Sequence, residues 1–115
     1  MRRIVLISVG LLFCWSATAQ ESLRVEGGFD CGVWAIARKE HQAQILEHYV
    51  VGLIDGLALG MSVDLWRVGG VALDREQVYL WMDRFCASDI HLFMHQGALE
   101  FAYERIRGVS PKKEK

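Results

Sequence analysis

Histidines and acidic residues set the chemistry this 115-residue chain could attempt. His91 and His95 stand four apart, one helical turn, a spacing that lets two imidazoles share a metal ion. Two ligands do not make a site. No paired cysteine or acidic ligand motif accompanies them, and spacing brings neither His41 nor His48 beside them, so no metal or other cofactor is expected. His48 and Asp55 could act as acid and base. On one helix, however, they sit about 10 Å apart, beyond a hydrogen bond, and no activated nucleophile or phosphate-binding glycine loop is visible. A non-enzyme is the better reading. Asp55 still needs a partner, because a carboxylate on a buried helix must find a donor or a cation, or stay protonated. Arg38, Arg75 and Arg84 are the candidates.

Four helical segments carry these residues. Asp30 can cap a short first helix starting near Cys31, with Val33, Trp34 and Ala37 at helical spacing. The second, about Gln44 to Met61, is apolar nearly all round, with Leu46, Val50, Leu53 and Leu57 on one face, which predicts a central, buried element. Gly52, Gly56 and Gly60 recur every four residues along it, each costing about 1 kcal/mol of helix propensity. Close packing against a neighbouring helix is the expected compensation. Asp64 to Leu73, with Gly69-Gly70, makes a connection, and Asp74 to Gln77 has the spacing of a capping box. Val78, Trp81, Met82 and Phe85 form the stripe of a third helix that Cys86 closes. Ser88 or Asp89 then caps a fourth, striped by Ile90, Phe93, Met94, Gly97, Phe101 and Ile106. Nothing alternates as a strand does. The fold class is all-α, a small bundle of about four helices.

The ends set the compartment. Arg2 and Arg3, an apolar run from Ile4 to Trp15, and Ala17-Thr18-Ala19 follow the order of a secretory signal, so residues 1–19 are read as a cleaved signal peptide. One helical domain, residues 20–106, follows, and residues 107–115 form a basic, solvated tail. The location expected is the periplasm, with no stable membrane anchor after cleavage. Losing Arg2 and Arg3 leaves 11 basic residues against 14 acidic, so no cationic face for nucleic acid is implied. Cys31 and Cys86 remain in an oxidising compartment, where they allow one intramolecular pairing, with free or intermolecular thiols as the alternative.

Several of these residues carry a resemblance. Cys31 with Trp34, the Tyr49, Gly52, Gly56 helix, and Phe85-Cys86-Ala87-Ser88-Asp89 together resemble the HdeA/HdeB family of small periplasmic proteins. The sequence departs at Asp89-Ile90, where many relatives read Asn-Pro. The resemblance implies a Cys31–Cys86 disulfide joining the start of the first helix to the end of the third. It implies a chaperone that is folded and able to form a homodimer at neutral pH, and that loosens in acid to protect other periplasmic proteins. On that reading Leu46, Val50, Leu53 and Leu57 are the client-binding surface and Asp55 is the pH switch. Tyr49-Val50-Val51-Gly52-Leu53-Ile54-Asp55-Gly56 also looks like the Tyr-x-x-Gly-x-x-Asp-Gly helix of immunity proteins against type VI secretion amidases, for which the partner would be the effector.

Overall fold

The computed structural model describes residues 25–108. The signal peptide assigned to residues 1–19 and all but the first two residues of the tail lie outside that range. Four helices, α1 (Cys31–Lys39), α2 (Gln44–Met61), α3 (Arg75–Ser88) and α4 (Met94–Arg107), form an all-α bundle with a single small hairpin. Because α4 runs through Arg107, the helical domain extends one residue beyond the boundary read from the sequence.

The caps explain where α1 and α3 begin. Asp30 accepts the Val33 backbone N–H through its side chain at 2.8 Å, which starts α1. Asp74 and Gln77 complete a reciprocal capping box at α3. The fourth helix starts later than expected. Ile90 and Phe93 lie ahead of it and are largely exposed, because residues 89–93 instead run antiparallel to the chain entering α1. The backbone N–H groups of Cys31 and Gly32 donate to the carbonyls of Leu92 and Ile90, and Met94 N–H donates to Phe29. Those bonds satisfy groups that a longer α4 would have satisfied itself.

The connection between α2 and α3 also differs from expectation. Arg67–Val68 (β1) and Val71–Ala72 (β2) pair antiparallel around Gly69-Gly70, both at positive φ, which is a two-residue hairpin. Arg105 of α4 pins it by donating to the Leu65 and Val71 carbonyls. Leu65 beneath it is fully buried.

The core joins Trp34 of α1, Leu46, Val50 and Ile54 of α2, Val78 and Met82 of α3, and Met94, Ala98 and Phe101 of α4. Cys31 and Cys86 form the disulfide between the first residue of α1 and the last turn of α3, and both are buried. Closing a loop of 55 residues disfavours the unfolded chain by roughly 4 kcal/mol on the chain-entropy model. For a domain this small that is comparable to its whole stability.

Glycine reverses one expectation. Gly52, Gly56 and Gly60 meet no atom within 4 Å of where a side chain would start, so they pack against no helix in the bundle. The outward side of α2 carries them, together with Ile45 and Leu59. The second helix is therefore buried on one side only, the side of Leu46, Val50 and Ile54. The glycine that does mark a close approach is Gly97 of α4, where an added Cβ would lie 2.6 Å from the Phe85 ring and 2.9 Å from Met82 Sδ.

Candidate functional site

Trp34 and Arg38 are one turn apart on α1 and point together toward α3. The Trp34 ring is fully buried beside the disulfide, and its indole N–H donates to Asp83 Oδ1 at 2.8 Å. Arg38 brings three helices together around its guanidinium. Its Nε donates to Asp83 Oδ1 at 3.0 Å and Nη2 donates to Asp83 Oδ2 at 2.8 Å, the two-pronged fit of guanidinium to carboxylate. Its Nη1 donates to Glu47 Oε1 of α2 at 3.0 Å, and Glu76 of α3 stands 3.6 Å from Nη2. The guanidinium also lies over the Trp34 ring at 5.5 Å and the Tyr79 ring at 5.8 Å.

One cation among three carboxylates is strongly held in its charged form. Arg38 is raised above its ordinary pKa, chiefly by its hydrogen bonds to Asp83, against an opposing effect of burial. Burial pushes the Tyr79 phenol upward too. Among the described residues, the Arg38–Glu47 ion pair ties α2 to the disulfide-linked pair of α1 and α3. Removing the acceptors would leave a half-buried guanidinium without a counterion.

The residues singled out from sequence fall elsewhere. Asp55 is exposed and accepts from the Trp66 indole N–H at 2.7 Å, not from Arg38, Arg75 or Arg84. Its side of α2 faces solvent, so the burial that demanded an arginine does not arise. Leu46 and Val50 are buried, and Leu53 and Leu57 half-buried, all packed into the core cluster. His91 is exposed, whereas His95 is half-buried, stacks on Phe93 at 5.5 Å and has a buried Nδ1 without a hydrogen-bond partner. No cluster of three metal-ligating side chains occurs among the described residues. Nor is any described helix long and apolar enough to cross a membrane.

The Arg38 junction is not legible in the sequence because Asp83 lies 45 residues away and no local pattern marks Glu47 as a partner. One local signal existed: an arginine one turn after a tryptophan, on the side of α1 that carries Cys31. Compared with known proteins, the chain matches no family model, no curated protein and no solved structure.

Proposed function

We propose that this chain is a non-catalytic periplasmic binding protein of the HdeA/HdeB kind, a chaperone that acid opens to protect neighbouring proteins. The observation that carries the reading is the Arg38 junction, where one guanidinium holds α2, α1 and α3 together through carboxylates. In acid, loss of the negative charge around Arg38 frees α2 from α1. Leu46, Val50, Leu53 and Leu57 then become available to a client, while the disulfide keeps α1 and α3 joined. The switch is assigned to Asp83 and Glu47 in place of Asp55.

The test is light scattering from an acid-denatured periplasmic protein between about pH 2 and 4, the range that brackets carboxylate titration. The wild type should suppress aggregation, and Glu47→Gln should begin to do so at higher pH. A wild type that never protects its client refutes the reading.

A second reading draws on the open side of α2, where Gly52, Asp55 and Gly56 of the immunity-like motif are exposed. Inhibition of a cell-wall amidase at neutral pH, with no acid protection, would decide for it.

A further inference from the structure

The hairpin, α3 and α4 leave an open cleft of about 500 Å³ between them, within the size range of small-molecule sites. It shares no lining residue with the Arg38 junction. Val71, Leu73, Leu80 and Trp81 supply its apolar lining, and Val71 and Leu80 are 61% and 46% exposed, so apolar surface there meets water. Stacking on Phe85 and a hydrogen bond from the indole N–H to Glu104 Oε2 hold Trp81 in place.

Two guanidinium groups line the same cleft, and neither has a carboxylate partner. Arg84 is exposed and makes no hydrogen bond or ion pair among the described residues. Arg105 is half-buried and donates Nε and Nη2 to the main-chain carbonyls of Leu65 and Val71, which fix its position without neutralising it. Its Nη1 is left without a protein partner among the described residues. The bundle surrounds Arg38 with three carboxylates and gives Arg84 and Arg105 none. Two cations against the single acid of the lining, Glu104, leave the cleft net positive in a chain whose net charge is −1. The sequence that follows the lining residue Gly108 adds no net negative charge, because residues 109–115 hold three lysines and one glutamate.

We propose that this cleft binds a small apolar carboxylate, a molecule with one ionised carboxyl group on a hydrocarbon or aromatic body. The carboxylate accepts from Arg105 Nη1 and from the Arg84 guanidinium, and the body covers Leu73, Leu80 and Trp81. Arg105 is already held by two carbonyls, so ordering it for the ligand costs little side-chain freedom. A phosphate ester suits the cleft less well, since it carries nearly two negative charges beside Glu104. The same chemistry occurs in a peptide C-terminus that ends on an apolar residue and in a free carboxylic acid. None of this draws on the acid reading of the Arg38 junction.

Proton–nitrogen NMR of the protein, purified with its disulfide intact, tests the proposal at neutral pH. The probes are phenylbutyrate and N-acetyl-leucyl-phenylalanine, each beside its uncharged amide, titrated to about 10 mM, the range of weak small-ligand sites. Both carboxylates should shift the Trp81 indole and the Arg84 and Arg105 Nε–H signals saturably and leave the Trp34 indole unmoved. Each amide should bind at least about tenfold more weakly. Arg84→Met, which keeps the stem and removes the charge at a position without bonds to lose, should weaken both carboxylates at least about fivefold. Arg84→Lys should stay within about threefold, and circular dichroism checks that each variant is folded. Tighter binding of the dipeptide assigns the site to peptide C-termini and tighter binding of phenylbutyrate to free acids, and either result supports it. No saturable shift with either carboxylate, equal affinity for acid and amide, or an Arg84→Met variant that binds like the wild type overturns the site. Inorganic phosphate shifting the same signals at lower concentration overturns the choice of carboxylate.

Discussion

Replacing Asp83 with asparagine separates the charge of the Arg38 junction from its shape. Asparagine keeps an oxygen for the Trp34 indole, but it removes the negative charge and aims an amide N–H₂ at a guanidinium that can only donate. Two limits bracket the cost. Breaking a fully buried pair by removing one partner costs about 3–5 kcal/mol, and an exposed pair contributes about 0–1 kcal/mol. The Arg38 and Asp83 side chains are 23% and 34% exposed, so the expected loss lies between these, at about 2 kcal/mol. For a domain of this size that lowers Tm by roughly 8–16 °C. Arg38 is raised above its ordinary pKa, so its contribution is fully present below the unfolded value and is lost only as pH rises through the still higher folded one. The loss should therefore be flat between about pH 6 and 9. Urea denaturation followed by far-UV circular dichroism at a series of pH values measures it. A loss under about 0.5 kcal/mol at neutral pH, the size of an ordinary surface change, would refute the assigned strength. A loss that changes markedly across that pH range would refute the mechanism.

The glycines should respond in opposite senses: Gly97→Ala should destabilise by about 1–3 kcal/mol through collision with Phe85 and Met82, whereas Gly56→Ala should stabilise monomeric protein by up to about 1 kcal/mol. Thermal melts of the two variants side by side decide this. Reducing the disulfide should cost about 4 kcal/mol, read as a lower urea midpoint, and mass spectrometry should find Cys31 and Cys86 in one linked peptide before reduction. Burial raises the Tyr79 pKa, so its stabilising effect is fully present below the ordinary phenol value near about 10 and fades as pH climbs toward the folded one. Tyr79→Phe should flatten the alkaline fall in stability, and an unchanged alkaline slope counts against the burial argument.

Local signals in the sequence carried over well where the physics was local. Asp30 caps α1, the Asp74–Gln77 box starts α3, and the span of α2 is as its apolar run indicates. The misreadings came from properties decided across the chain. An apolar run does not say whether both its sides are covered, so the glycines of α2 read as packed when they face outward. Gly69-Gly70 between Val68 and Val71 had the composition of a two-residue hairpin, but two-residue strands are too short to show alternation. At the junction, charge alone could not choose a partner: Arg38 was one of three candidates for Asp55, with Arg75 and Arg84, and bonds Asp83 and Glu47 in space.

The cross-link between Cys31 and Cys86 turns the chain into a ring with a tail. Within the ring lie α1, α2, the hairpin and nearly all of α3, and α4 hangs outside it, attached at one end. When α2 leaves its place it stays anchored on both sides, so its return is a short intramolecular search whose closure entropy the covalent bond has already removed. A protease cutting anywhere inside the ring makes a nick without separating the pieces. A cut between Cys86 and Met94 sheds α4 entirely and takes with it Met94, Ala98 and Phe101 from the core. Recovery after stress is thus built into the ring, and the vulnerable point of the molecule is the short segment joining α3 to α4.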